Sequence, residues 1–265
     1  MFHRISIACT LLLLGACRAV EPVPEDLDGL VHYLWQRADL GEDADVAEAV
    51  DNLHVAIDGD NLEGIVEGLV SSLTVEEVAD LGREVDPSTA TGVVIADWID
   101  CTRPQLEAVL AYEQQDELYV GVYDLYEREM LSSGEDFLAE RTDRLGWDLV
   151  YQTSLLGAGY TVNSQTLMRR VASVPTEHGP ALVLRAHMTE PATFDNPDSN
   201  NYLDQDYHLE AYWPHDGGML HVYALWKDTR MLGFEDEGES TQRIILNNLA
   251  DWDEGTSQIC QEGLP

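Results

Sequence analysis

Apolar residues recur at helical spacing through the first third of the chain. Between residues 26 and 85 they stand three or four positions apart, which predicts amphipathic helices. Two segments are echoed further along, so the pattern indicates a duplicated helical hairpin, and Thr74 and Glu77 fit a capping box before the last helix. The echoed pairs are 26–31 with 61–66 and 46–51 with 75–80. We therefore expect a small four-helix unit, a helical hairpin repeat domain over residues 27–88.

From about residue 91 the pattern is mainly that of strands, so the fold class is α+β. Apolar and polar residues alternate in several segments, as they do in half-buried strands. The predicted strands are 92–100, 147–155, 165–174, 181–189, 207–213 and 219–227. The predicted helices are 103–110, 123–130, 135–145 and 240–252.

The clearest local prediction is a β-hairpin around Asp216, Gly217 and Gly218, because glycines beside an aspartate suit the positive φ angles of tight hairpin turns. Strand alternation then assigns two faces. The apolar face holds Leu209, Ala211, Trp213, Leu220, Val222, Ala224 and Trp226. The polar face holds His208, Glu210, Tyr212, His221 and Tyr223.

The order of elements over residues 91–262 resembles the START-like, helix-grip superfamily. The resemblance rests on the strand that leads through Ile99 and Asp100 into a helix, the run of antiparallel strands and the long C-terminal helix. It implies a sheet wrapped around that helix, with an apolar cavity for lipids, sterols, polyketides or other small hydrophobic molecules. The expected lining residues are Leu184, Leu209, Trp213, Leu220, Val222 and Trp226. A generic α+β sandwich, in which these residues only fill a core, is the alternative.

The chain begins with one arginine and an apolar run of the length found in secretory signals. The following Leu14, Gly15, Ala16 and Cys17 resemble a bacterial lipobox. The resemblance implies a signal peptide over residues 1–16, cleavage between Ala16 and Cys17, and acylation of Cys17. A plain secretion signal with an incidental Cys17 is the alternative.

Acylation would place the protein at the bacterial cell envelope, with Cys17 anchored in the lipid bilayer and residues 17–26 as a proline-containing tether. The residue that follows the acylated cysteine is Arg18. Enteric lipoproteins that have no aspartate at this position are sorted to the outer membrane. We therefore expect the outer membrane in preference to the inner membrane.

Two further cysteines remain once Cys9 leaves with the signal and Cys17 is acylated. An even pair in an oxidising compartment favours a disulfide, so we predict a bond between Cys101 and Cys260, with two buried thiols as the alternative. In a helix-grip fold this bond would join the first strand to the last helix.

Charge limits the choice of partners. The chain holds 14 basic and 50 acidic residues, a formal net charge of −36, so nucleic acid is excluded as a partner on electrostatic grounds. The acids are spread along the chain and hydrophobic residues make up 45%, which indicates a solvated shell over an ordinary core.

Candidate chemistry is limited to the polar face of the hairpin. His208 and Glu210 lie two residues apart and His221 is on the neighbouring strand, a spacing that could hold zinc or another divalent ion. Cross-strand pairing of polar and aromatic side chains is the alternative. No catalytic or cofactor signature is present, so we predict no catalytic residues and no cofactor.

The sequence thus favours a non-enzymatic, membrane-anchored envelope lipoprotein with a structural role, or one that contacts another envelope protein through residues 26–85. The first alternative is binding or carriage of an apolar small molecule or lipid in a helix-grip cavity. The second is an enzyme that acts on a hydrophobic substrate.

Overall fold

The computed structural model describes residues 22–62, 64–155, 158–171, 180–231, 234–235 and 239–265. These residues form an antiparallel sheet with helices on both of its faces. The helices are α1 Leu27–Arg37, α2 Asp43–Ala56, α3 Arg103–Ala111, α4 Gln115–Leu118, α5 Gly134–Leu138 and α6 Glu239–Glu262. The strands are β1 Val66–Val70, β2 Thr91–Ile99, β3 Leu125–Met130, β4 Arg144–Leu155, β5 Ala158–Val171, β6 Ala181–Met188, β7 Thr193–Phe194, β8 Tyr202–His215, β9 Gly218–Met231 and β10 Phe234–Glu235.

The sheet has the strand order β1-β2-β9-β8-β6-β5-β4-β3, with β10 beside β9 and β7 beside β5. The predicted hairpin is β8 and β9, joined by Asp216 and Gly217, whose φ angles of 46° and 87° allow a two-residue turn. The register pairs Tyr212 with His221 and Ala211 with Val222. The predicted face assignment of this hairpin is therefore confirmed.

Helices α1 and α2 cover the apolar face of the hairpin. Leu30, Leu34 and Trp35 of α1 are fully buried in one core with Trp213 and Trp226 of the sheet. The apolar stripe that predicts amphipathic helices is thus buried inside the molecule.

Helix α6 covers the opposite face. Leu249 of α6 packs against Val93 and Ile95 of β2 and against Tyr223 of β9. The predicted disulfide is confirmed, and it joins Cys101, which follows β2, to Cys260 in the last turns of α6. The expected antiparallel sheet that packs around a C-terminal helix is present.

The predicted four-helix unit is wrong, because only α1 and α2 lie in residues 27–88 among those described. The second hairpin is replaced by β1, which pairs with β2 along the edge of the sheet. The capping box at Thr74 and Glu77 does form, but it closes a single turn. The Glu77 carboxylate also binds His32 and Gln36 of α1, so the turn is held against α1 and does not continue as a helix.

The helix predicted over 123–130 is also wrong. Residues 125–130 form β3, an edge strand in which Tyr126, Arg128 and Met130 are half-buried while the residues between them are exposed. This period of two is the strand pattern, and pairing with β4 satisfies the backbone. The helix predicted over 135–145 shortens to α5, since β4 already begins at Arg144.

The predicted signal peptide and lipobox, residues 1–17, lie outside the described residues. Among the helices that the structure describes, none has the length and apolarity needed to cross a membrane.

Candidate functional site

A cavity of about 790 Å³ lies between α6 and the opposing face of the sheet. Its volume is within the range of small-molecule sites. The aromatic lining residues are Tyr119, Tyr123, Tyr126, Trp147, Tyr151, Tyr160, Tyr223 and Trp252. The aliphatic lining includes Leu110, Leu118, Leu149, Val162, Leu184, Ala186, Met188, Ile245, Leu249 and Ile259.

The aromatic side chains are held in place by contacts with one another. Tyr119 stacks on Trp252 of α6 with ring centroids 3.9 Å apart, and its hydroxyl lies 2.8 Å from the hydroxyl of Thr256. Tyr123 contacts the rings of Tyr126 and Tyr151. Burial raises the pKa of Tyr126 to about 12, so its hydroxyl stays neutral at ordinary pH. The aromatic part of the wall is therefore uncharged.

A polar network on β8 and β9 forms one part of the lining. The Asp206 carboxylate lies 2.6 Å from Nε2 of His208 and 3.1 Å from Nζ of Lys227. Burial by itself raises the pKa of Asp206, but the charges of Lys227 and His208 outweigh it and hold the pKa at about 2. The Tyr223 hydroxyl lies 2.5 Å from Nδ1 of His208. Because Asp206 is ionised, it accepts a hydrogen bond from Nε2 of His208, and the Tyr223 hydroxyl pairs with Nδ1 of the same ring.

A second network beneath the cavity joins the sheet to α6. His221 of β9 is fully buried, and its Nδ1 lies 2.9 Å from the Asp253 carboxylate of α6. Its Nε2 lies 3.5 Å from the Glu210 carboxylate, which also accepts a hydrogen bond from Tyr212. Burial lowers the pKa of His221, but the two carboxylates outweigh burial and raise it to about 9. His221 is therefore an imidazolium between two acids.

The expected ligand-lining residues divide between the two faces of the sheet. Leu184 lines the cavity. The other five are buried in the core under α1 and α2, so the structure places them away from the cavity: Leu209, Trp213, Leu220, Val222 and Trp226. The physical reason is that both faces of this sheet are covered, and the more apolar face packs against the helices.

The expected metal-ligating residues are separated into the two networks. His208 binds Asp206, whereas Glu210 and His221 face each other. Within the described residues, three donor atoms close enough to share an ion belong to His54, Asp60 and His215 instead. Nδ1 of His54 accepts from the indole of Trp213, which places the proton of a neutral ring on Nε2, facing Asp60. His54 therefore offers no lone pair to a metal in this arrangement.

Several residues in or beside the cavity are not predicted from the sequence. Asp206 shares the face of His208 and Glu210 on β8, so alternation alone could have added it. Asp253 follows Leu249 by four residues on the buried side of α6, and a lone acid on an apolar helical stripe indicates a buried partner. The cavity-facing tyrosines carried no recognisable spacing signal.

Solved structures similar to this chain include three proteins, each at low sequence identity and with a TM-score below 0.5. Human StAR-related lipid transfer protein 5 is 12% identical, with 82% of this chain and 95% of that chain covered, at a TM-score of 0.43. A STAR-related lipid transfer protein from Xanthomonas axonopodis is 11% identical, with 76% and 94% covered, at 0.39. The Zhui aromatase/cyclase from Streptomyces is 14% identical, with 65% and 94% covered, at 0.36.

No family model and no curated protein matches the chain. We therefore base the functional proposal on the residues of the cavity.

Proposed function

We propose that this protein binds an apolar small molecule or lipid in the cavity between α6 and the sheet. The observation that carries the proposal is a cavity of about 790 Å³ whose walls are mostly aromatic and aliphatic. A wall of this kind gains free energy by excluding water, at roughly 25 cal/mol for each Å² of apolar surface buried. The few polar groups can orient a ligand in the cavity.

Binding is favoured over catalysis because the two carboxylates that β8 places at the cavity are already paired with neighbouring groups. Asp206 is held by His208 and Lys227, and Glu210 is held by Tyr212 and His221. A general acid or base must exchange its proton with a substrate, whereas these protons already lie in internal hydrogen bonds. We assign the two networks to shaping the cavity and fixing α6 on the sheet.

The expected role in contacting another envelope protein is less well supported. That hypothesis depended on two helical hairpins within residues 26–85, and the described structure has one. Its apolar side chains are buried against β8 and β9. We therefore rank ligand binding first.

Native mass spectrometry of the exported protein tests the proposal through a variant that fills the cavity. Ala186→Trp projects an indole into the space that Ala186 now lines, and we expect it to remove a bound ligand or weaken its binding at least about tenfold. Ala139→Trp is the matched control, because Ala139 follows α5 and is exposed. Equal ligand masses in wild type, A186W and A139W, or no binding of any apolar molecule by wild type, would contradict the proposal.

We also propose that acylated Cys17 anchors the protein to a bilayer of the bacterial envelope, the outer membrane before the inner. The support is the lipobox resemblance at residues 14–17 together with the proline-containing tether that follows it. Two acyl chains give stable attachment, since each buried methylene contributes about 0.8 kcal/mol.

Cys17→Ser should move the protein from the membrane fraction to the soluble periplasmic fraction. Cys9→Ser is the control, because Cys9 is removed with the signal peptide and its loss should leave the protein membrane-bound. The measurement is the distribution of the protein between membrane and soluble fractions. A C17S variant that stays in the membrane fraction would exclude this anchor.

A further inference from the structure

Arg128 of β3 places a guanidinium in the wall of the cavity. Its guanidinium lies over the ring of Trp147, 3.7 Å from the ring centroid. Its Nη1 donates to the backbone carbonyls of Leu110 and Tyr112 at 3.0 and 2.7 Å. These carbonyls belong to the C-terminal end of α3, where a cation is favourable. The stacking and the two hydrogen bonds fix the plane of the guanidinium before any ligand arrives.

The rest of this guanidinium has no partner within the described part of the chain. Among the described residues no carboxylate lies within 4.0 Å of Arg128, its buried Nε makes no hydrogen bond, and Nη2 makes none. The Nε atoms of the buried Arg169 and Arg185 also make no hydrogen bond, but the buried arginines differ from Arg128 in having a counter-ion. Arg169, Arg170 and Arg185 each pair with a carboxylate, of Asp43, Glu107 and Asp80 in turn.

The absence of a counter-ion is notable in a chain with 50 acidic residues. Taking a cation out of water is costly unless an anion and hydrogen bonds replace the water. Burial lowers the pKa of Arg128, and the exposed Glu113 offsets this only at a distance. The neighbouring charged networks do not supply an anion, because Asp206 is committed to Lys227 and His208.

We propose that the ligand is an amphiphile whose anionic oxygen group, a carboxylate in its simplest form, binds the guanidinium of Arg128. This inference rests on the proposed function and specifies its ligand class. The carboxylate accepts from Nη2, while the apolar body lies along the tyrosine and leucine walls. A charge-assisted hydrogen bond in a site that excludes water is among the stronger polar contacts that a protein can offer.

Competition against the uncharged dye N-phenyl-1-naphthylamine separates the two proposals. The dye has no acidic group, so its fluorescence reports the apolar cavity alone. Dodecanoate and dodecan-1-ol share one chain and differ in the head group, and each is titrated against the bound dye. In wild type we expect dodecanoate to displace the dye at concentrations about 10- to 100-fold lower than dodecan-1-ol.

Arg128→Met should abolish this preference, measured as the ratio of the two competitor concentrations, because Met keeps the apolar stem of the side chain but carries no charge. Arg83→Met is the matched control. Arg83 also donates to backbone carbonyls, those of Met188 and Asp204, but does not line the cavity, so R83M should keep the preference. Arg128→Lys retains the charge and should keep part of the preference for dodecanoate.

The outcomes distinguish the two proposals. A preference for dodecanoate that persists in R128M overturns the carboxylate assignment and leaves the proposed cavity intact. Equal weakening of both competitors and of the dye in R128M and R128K would show that Arg128 only caps α3, which also overturns the assignment. A wild-type protein that binds neither the dye nor either competitor would overturn both proposals.

Discussion

Replacing His221 with Gln is expected to lower the free energy of unfolding by about 3–5 kcal/mol, the cost of removing one partner from a buried ion pair. His221 is fully buried between Asp253 of α6 and Glu210 of β8. Gln is close in size and its amide can donate hydrogen bonds, but it carries no charge. The variant therefore leaves two buried carboxylates facing each other without a cation.

Urea unfolding of wild type and H221Q at pH 7 measures this effect. His187→Gln is the control, because burial and the charge of Arg185 lower the pKa of His187 to about 4, so this ring is neutral in the folded protein. H187Q removes no buried charge and should cost much less than H221Q. If the two variants lose equal stability, the ion triad at His221 is not what fixes α6 to the sheet.

The same histidine predicts how stability depends on pH. The pKa of His221 is about 9 in the folded protein and 6.5 as the reference value, so folding favours proton uptake. Its contribution is therefore complete below about pH 6.5 and is lost as the pH rises through 9, by roughly 3 kcal/mol in total at 1.36 kcal/mol per pKa unit.

We expect the stability difference between wild type and H221Q to shrink between pH 6.5 and 9.5, because both proteins share the alkaline effects of their other groups. Urea unfolding across this range gives the difference directly. H187Q should show no such change in this window, since His187 titrates on the acid side of it. A constant difference between wild type and H221Q would mean that His221 is neutral in the folded protein.

The elements that the sequence predicts correctly are those with local signals. The hairpin turn needs only Asp216 and Gly217, and α3 begins at a capping box on Thr102 and Gln105. The disulfide was predictable because Cys101 and Cys260 are the two cysteines that remain as a pair. None of these depends on which layer of the fold covers an element.

The incorrect predictions concern which layer covers each face of the sheet and which segment forms its edge strand. The sequence that leads into Val66–Val70 resembles a repeat of α1. These residues form a strand instead, because they pair with the open edge of β2, and no local pattern in the sequence indicates that edge. Alternation divides β8 and β9 correctly into two faces, yet it cannot tell which face meets the cavity when both are covered. The polar face is buried because its polar groups form hydrogen bonds and ion pairs with one another, as Asp206 does with His208 and Lys227.

Replacing Trp35 with Ala is expected to cost about 3–5 kcal/mol, the range for large-to-small changes at buried aromatic sites. Trp35 of α1 is fully buried and contacts the rings of Tyr207 and Trp226 with centroids 5.6 and 5.8 Å apart. Its indole also donates to the carbonyl of Glu77 at 2.9 Å. Alanine would leave a cavity between α1 and the sheet and an unsatisfied carbonyl.

The way in which W35A unfolds tests whether α1 and α2 are part of the same cooperative unit as the sheet. Since Leu30, Leu34 and Trp35 share one core with Trp213 and Trp226, we expect a single transition in which helical and near-ultraviolet circular dichroism signals are lost together at lower urea. Trp98→Ala is the matched control, because Trp98 is 40% exposed and its loss should cost less than about 1 kcal/mol. An early loss of helical signal, with the sheet and the disulfide-linked α6 intact, would instead show that residues 27–88 unfold as a separate domain.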